Sequence, residues 1–246
     1  MPITGKIRLD QLLVQKGLAG SREKAKAIIM SGTVEVEGMR VDKPGRLIPE
    51  SASISLTKST RPYVSRGGQK LEAALKHFPV SVDDKVLLDV GASTGGFTDC
   101  LLRHGARRII AVDVGYGQFD WKLRGDPRVT LLERTNIRYV KPQDMDTPVH
   151  GAVIDVSFIS LRLVIPPVSD LLTRHAFIIA LIKPQFEVGK GKVGKGGVVR
   201  DEKQHQDVVN RLGDFFEESG WDVNGHIPSP ILGPKGNREF LMHLTR

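Results

Sequence analysis

A single cysteine, Cys100, occurs among 246 residues. It excludes an internal disulfide and fits a reducing compartment. Long apolar runs are missing as well. The longest, Ala176 to Ile182, falls far short of the roughly 20 residues that cross a bilayer. Aromatic residues make up 6% of the chain, and no aromatic-rich amphipathic anchor is visible. Nor is a charged-then-apolar leader, so the expectation is a cytoplasmic protein with no membrane partner. Acidic residues are the minority, 28 against 36 Lys and Arg, giving a net charge of +8. That excess points to a polyanionic partner. Internal repeats and long low-complexity tracts are absent.

The charge is unevenly spread. Residues 1–65 hold 11 Lys and Arg against 6 Asp and Glu, while the remaining 181 hold 25 against 22. Residues 1–58 read as a small α+β module. Leu9, Leu12 and Leu13 share one face of a helix over Arg8–Lys16, which Gly17 can stop. Ser21 is a suitable N-cap for a second helix with Ala25, Ile28 and Ile29 inward. Thr33-Val-Glu-Val alternates like a strand, Glu37-Gly38 turns, Met39 to Val41 returns, and Ser53 to Leu56 closes the unit. The order helix, Ser-Arg helix, Gly-Thr-Val-Glu-Val-Glu-Gly hairpin resembles the S4 RNA-binding domain of ribosomal protein S4, pseudouridine synthases and tyrosyl-tRNA synthetases. The resemblance implies that Arg8, Arg22, Lys24, Lys26, Arg40 and Lys43 engage RNA phosphates, for affinity more than readout.

Residues 59–69 read as a linker broken by Pro62 and Gly67-Gly68. A second domain, 70–246, opens with an amphipathic helix carrying Lys70. Strands are expected near 85–90, 108–113, 129–133, 151–156, 176–183, 221–227 and 238–244, with helices near 96–104, 160–173 and 202–219. The alternation predicts a doubly wound, mostly parallel α/β sheet with ligands at the strand carboxyl ends.

Val86-Leu-Leu-Asp-Val-Gly-Ala-Ser-Thr-Gly-Gly-Phe-Thr-Asp99 is a strand, a glycine turn and a helix start, the arrangement of a nucleotide-cofactor loop. A dinucleotide loop would have glycine where Ser93 stands. Asp113 ends the second strand at the spacing that accepts ribose hydroxyls. An acid there suits any adenosine cofactor, NAD included, and it is the missing glycine and the neighbouring residues that favour S-adenosylmethionine over NAD. Asp89, Gly91, Ser93, Thr94, Gly95, Gly96, Phe97 and Asp113 are the candidate cofactor contacts. Gly189-Lys-Gly-Lys-Val-Gly-Lys-Gly196 imitates a P-loop, but Gly196 replaces the magnesium-binding Ser or Thr. A basic mobile loop beside the substrate is the preferred reading of it, with a plain solvated loop as the alternative.

Asp155-Val-Ser-Phe158 follows the fourth strand. It lacks the two prolines usual in methylation of exocyclic base nitrogens. Cys100 is misplaced for attack on a pyrimidine ring. What remains at the strand ends is Asp155, Lys183 and Glu239, joined by Lys70. A lysine whose pKa is lowered by burial and a neighbouring cation can deprotonate a ribose 2′-hydroxyl. Lys183 is the candidate base, with Asp155 and Glu239 to orient it and Lys70 to tune it or position the ribose. No metal is required. The structural alternatives are a strand-end salt bridge for Asp155–Lys183, a surface hairpin acid for Glu239 and a solvent-facing helix lysine for Lys70.

Ser65-Arg-Gly-Gly-x-Lys70-Leu, the glycine loop, Asp155-Val-Ser-Phe-Ile-Ser160 and Leu181-Ile-Lys-Pro-Gln-Phe-Glu187 closely resemble the TlyA family. These are S4 plus FtsJ-like 2′-O-ribose methyltransferases that modify cytidines in ribosomal RNA, often labelled haemolysins. The resemblance covers essentially the whole chain. It implies a Rossmann-like S-adenosylmethionine-dependent domain with an antiparallel C-terminal strand, preceded by an S4 domain, and ribosomal RNA or a subunit as partner. It also implies Lys70, Asp155, Lys183 and Glu239 as catalytic tetrad, Gly95, Phe97 and Asp113 as cofactor contacts, and Asn136 as a weaker one. Arg61-Pro-Tyr-Val departs from the Trp seen in some members. A membrane-active haemolysin and an RNA-binding protein with an inactive methyltransferase fold are the competing readings.

Overall fold

The computed structural model describes residues 5–30, 32–57, 62–189, 191, 193, 194 and 196–246. Residues 59–61 of the expected linker, and Lys190, Lys192 and Lys195 of the glycine-rich segment, lie outside the described residues. The chain parts into two compact units, residues 1–62 and 63–246.

In the first unit β1 (Lys6–Arg8) runs into α1 (Leu9–Gln15), followed by α2 (Arg22–Met30). Leu9, Leu12 and Leu13 are buried from α1, Ala25 and Ile29 from α2. The three- and four-residue spacings place each set on one face. Ser21 Oγ accepts from Lys24 N at 3.2 Å, the expected cap. Strands β2 (Val34–Val36) and β3 (Met39–Arg40) form the hairpin, turning at Glu37 and Gly38 with φ of 50° and 73°. Next come β4 (Leu47–Pro49) and β5 (Ile54–Leu56). β5 joins β2, while β4 pairs with β1 in a separate ribbon. That ribbon was not anticipated, because three-residue strands are too short to show alternation.

The second unit opens earlier than expected. Tyr63 is buried, Val64 N donates to Asp99 Oδ2 at 2.8 Å, and α3 spans Gly67–His77. Residues 63–69 are therefore docked rather than linking. Then follow β6 (Val86–Val90), α4 (Gly96–Arg103), β7 (Arg108–Val112), α5 (Trp121–Arg124), β8 (Val129–Leu132), β9 (Val149–Ile154), α6 (Ile165–Ser169), β10 (Leu172–Ile182), α7 (Glu202–Glu218), β11 (Asp222–Pro228) and β12 (Phe240–Thr245). The sheet order is β11-β12-β10-β9-β6-β7-β8. β8, β7, β6, β9 and β10 are parallel, and β12 runs antiparallel between β10 and β11.

Neighbouring strand residues point to opposite faces. Leu88, Val90, Ile110 and Ile178 join Ile165, Val209 and Phe216 in one core. Leu87, Ile109 and Ile179 join Leu71 and Leu101 in the other. The result is three layers, helix on sheet on helix. From β6 the chain works outward through β7 and β8, then returns with β9 on the other flank of β6. The carboxyl ends of β6 and β9 thus form the switch point where such sheets bind ligands.

The helix expected over 160–173 is not formed as one piece. Leu161–Leu163 make a single 3-10 turn, α6 is five residues, and the chain is extended from Leu172. Pro166 and Pro167 fit only a first helical turn, since neither carries an N–H. Ser169 Oγ then donates to the Ile165 carbonyl oxygen at 2.9 Å, at the end of the helix.

Candidate active site

The loop after β6 is held by backbone bonds. Gly91 N and Ala92 N donate to Val112 O at 2.9 and 3.3 Å, and Gly95 N to Ala92 O at 2.7 Å. Gly91 (φ 82°) and Gly95 (φ 91°) need left-handed backbone. A Cβ on Gly91 would stand 2.6 Å from the carbonyl oxygen of Asp155. Ser93 also takes positive φ, 50°, and is fixed there by Ser93 N donating to Asp113 Oδ2 at 2.7 Å. Asp113 Oδ1 accepts from Gly115 N at 2.6 Å and Gln118 Nε2 at 3.2 Å. A carboxylate offers about four acceptor sites, so Asp113 retains room for about one further donor.

Asp89 lies beneath this loop, fully buried on β6. Thr98 Oγ1 donates to its Oδ2 at 2.5 Å, tying β6 to α4, while Oδ1 has no partner among the described residues. Burial pushes its carboxyl up to about 7; the nearby Asp155 and Asp113 add to the rise and Thr98 opposes it.

The three strand-end residues and Lys70 of α3 meet in one cleft of about 260 Å³. Its lining includes Lys70, Asp155, Lys183 and Glu239, together with Gly91, Ser93, Thr94, Gly96 and Phe97. They form two couples. Lys183 Nζ lies 2.5 Å from Asp155 Oδ1 as an ion pair and directs its aligned N–H to Ser157 Oγ at 2.8 Å. Lys70 Nζ donates to Glu239 Oε2 at 2.6 Å. Glu239 therefore partners Lys70, not Lys183, among the contacts of this structure. Asp155 is placed by Asp155 N donating to Val90 O at 2.9 Å, so β6 itself sets its height at the crevice.

Ser157, Ser65 and Arg66 border or bond within the cleft and were not picked out from the sequence. Ser157 stood two residues beyond Asp155 in an already suspicious motif; Ser65 and Arg66 lay in the stretch read as linker. Asn136 is not drawn into the cleft: its Oδ1 accepts from Arg138 N at 3.1 Å and caps a 3-10 turn after β8. A larger hollow of about 310 Å³, lined by Val188, Gln204, Asp207, Asn210 and Arg211, holds none of the candidate residues. The candidate residues therefore gather at the smaller cleft.

In the first unit, Asp10 has no exposed surface but is roofed mainly by arginines. Arg8 donates to its two oxygens at 3.0 and 2.9 Å, and Arg22 to Oδ2 at 3.2 Å. The Arg8 hydrogen bonds hold the Asp10 carboxyl down to about 2, against the cost of its burial and with help from Arg22. Two of the six candidate RNA-binding cations are thus held in fixed positions. Lys24, Lys26, Arg40 and Lys43 are exposed, with no ion pair among the described residues.

Residues 63–246 match the family model described as FtsJ-like methyltransferase, and residues 7–54 match the S4 domain. The 16S/23S rRNA (cytidine-2′-O)-methyltransferase TlyA of Mycobacterium tuberculosis is 45% identical over 238 residues, covering 96% of this chain and 89% of that protein. The chain belongs to the TlyA family. YqxC of Bacillus subtilis is similar to this TlyA-family chain, 53% identical over 240 residues, or 97% of this chain and 85% of that protein. A hemolysin-labelled structure from Streptococcus thermophilus superposes with a TM-score of 0.77 at 44% identity, covering 99% of this chain and 89% of that one. The TlyA family's S4 and FtsJ-like parts fall on the two compact units.

Proposed function

We propose that this chain transfers a methyl group from S-adenosylmethionine to the ribose 2′-hydroxyl of cytidine in ribosomal RNA. The observation that carries the reading is the Lys183–Asp155–Ser157 group at the switch point, in one cleft with the glycine loop. The names of the TlyA relatives state the same activity.

The residues present fit that cofactor. Asp89, Asp113 and Asp155 crowd one end of the sheet closely enough for the last two to raise Asp89. A ligand carrying an ammonium and a sulfonium relieves this repulsion, whereas a pyrophosphate adds to it. Gly91, Ser93, Thr94, Gly95, Gly96 and Phe97 would hold it, with Asp113 on its ribose, whereas Asp89, with no exposed surface, would act from beneath by tying β6 to α4 through Thr98. When bound, S-adenosylmethionine supplies an electrophilic methyl group and leaves as a neutral thioether.

Lys183 Nζ accepts the 2′-hydroxyl proton as the methyl group transfers. Asp155, 2.5 Å away, balances the ammonium that results. Ser157 Oγ fixes the direction of the amine. Lys70 and Glu239 form a nearly neutral buried pair that offers the substrate ribose an N–H donor and a carboxylate acceptor. Arg8, Arg22, Lys24, Lys26, Arg40 and Lys43 hold the RNA backbone through the S4-like residues 1–58, and residues 70–246 do the chemistry, in the cytoplasm. For the haemolysin reading, no helix among the described residues is long and apolar enough to cross a membrane.

Mapping ribose methylation in ribosomal RNA from cells with and without this protein tests the proposal. At least one cytidine should lose its 2′-O-methyl group; an unchanged map would refute it. Lys183→Ala should keep calorimetric binding of S-adenosylmethionine while abolishing transfer of labelled methyl groups. Retained transfer removes Lys183 as the base.

A further inference from the structure

The chain contains three Tyr and two Trp. Tyr63 and Trp221 are buried, but Tyr116, Trp121 and Tyr139 are 68%, 69% and 73% exposed. None of these three belongs to either core of the second unit. All three follow the carboxyl ends of two adjacent strands. Tyr116 lies in the loop after β7, Trp121 opens α5, and Tyr139 ends the 3-10 turn after β8.

Each ring has a cation beside it. The Arg134 guanidinium sits 4.1 Å from the Tyr116 centroid, Arg138 5.6 Å from Tyr139, and Lys122 Nζ 5.8 Å from Trp121. The rim is tied together and to the glycine loop. Asp120 N donates to Thr94 O at 3.2 Å, and Arg134 N to Gly115 O at 3.0 Å. Glu133 Oε1 accepts from Gly117 N at 2.7 Å and Arg124 at 2.8 Å, Asp120 Oδ1 accepts from Lys122 N at 2.8 Å, and Asp113 Oδ1 accepts from Gly115 N at 2.6 Å, so the acids of these segments are engaged within them.

Exposed rings coupled to cations recur where unpaired bases stack and phosphates pass. Protein hot spots also use Tyr, Trp and Arg. The cation at every ring favours a polyanion. We infer that the rim formed by the segments after β7 and β8 is a second RNA-contact surface, on which unpaired bases of the substrate stack against Tyr116, Trp121 and Tyr139. This rests on ribosomal RNA being the substrate. It adds, within the methyltransferase domain, a contact that reads unstacked RNA, where the S4-like cations read the backbone.

Trp121 reports on the surface directly, because Trp221 is only 3% exposed. Titrating the full chain with a ribosomal RNA transcript containing unpaired loops should quench Trp121 emission, and Trp121→Phe should lose that quenching. Tyr116→Ala and Tyr139→Ala should each weaken transcript binding about tenfold, the order expected for loss of one base–aromatic stack. Their affinity for S-adenosylmethionine should be unchanged. So should the slope of log Kd against log salt, since no phosphate contact is removed. Transcript binding with unaltered Trp121 emission, or with full affinity in both Tyr variants, overturns the surface and leaves RNA as substrate. A loss of S-adenosylmethionine affinity with RNA affinity intact assigns the rings to the cofactor and overturns it. Quenching by ribosomal proteins stripped of RNA, with none by the transcript, assigns them to a protein partner and also overturns it. Binding of neither the transcript nor an assembled ribosomal subunit overturns both this surface and its premise.

Discussion

Lys70 Nζ donates to Glu239 Oε2 across 2.6 Å, joining α3 to the start of β12 over 169 residues of chain. Both side chains are buried. Removing one partner leaves an uncompensated buried charge, so Lys70→Ala should cost about 3–5 kcal/mol of unfolding free energy. Lys70→Met combined with Glu239→Gln should recover most of that stability in denaturant titrations, yet remain inactive. A double variant with parental methyl transfer would make the pair purely structural.

Gly91→Ala should be damaging in two ways. A residue with a Cβ at φ 82° costs about 1–2 kcal/mol. The new methyl would also stand 2.6 Å from the Asp155 carbonyl oxygen, pushing β6 and β9 apart at the crevice. The expected result is a lower unfolding midpoint and weaker calorimetric binding of S-adenosylmethionine. Parental values for both would show that the loop yields freely.

Asp89 carries a pH signature. Its folded carboxyl is raised to about 7 by burial, against an ordinary 3.8. Between those values the folded state binds the extra proton, so the contribution is full below pH 4 and lost as pH rises through about 7. Asp89→Asn keeps an acceptor for Thr98 and removes the titration. Wild-type stability should therefore fall relative to that variant between about pH 4 and pH 7. Parallel stability–pH curves would contradict the assignment.

Asp10 has the opposite sign. Arg8 and then Arg22 hold it down to about 2, so its contribution is present above pH 4 and lost as pH falls toward 2. The arginines are partly exposed, and solvent screens the energy involved. Asp10→Ala should therefore cost little stability at neutral pH but weaken RNA binding, because Arg8 and Arg22 lose the carboxylate that fixes them. Unchanged RNA affinity would show that neither arginine needs fixing.

Most strands were legible because each is a short apolar run bounded by turns, as at Val86–Val90 and Arg108–Val112. The glycine loop was legible because its backbone conformations demand particular residues. The stretch 160–173 misled because Leu161, Val164, Ile165 and Val168 keep helical spacing while Pro166 and Pro167 limit the helix to its first turn. Residues 63–69 read as linker because Pro62 precedes them and Gly67-Gly68 falls within them. Nothing local shows that Asp99 and Arg103 await Tyr63 and Val64.

The sequence alone determined the two-part organisation, the parallel sheet and the identity of the strand-end residues, because local periodicity and turn chemistry suffice for these. It did not determine who pairs with whom. Lys183 with Asp155 and Ser157, Lys70 with Glu239, and Asp113 with Ser93 are contacts between distant segments. Only the sheet order, which returns β9 to the flank of β6 and sets β12 against β10, brings these side chains within bonding distance.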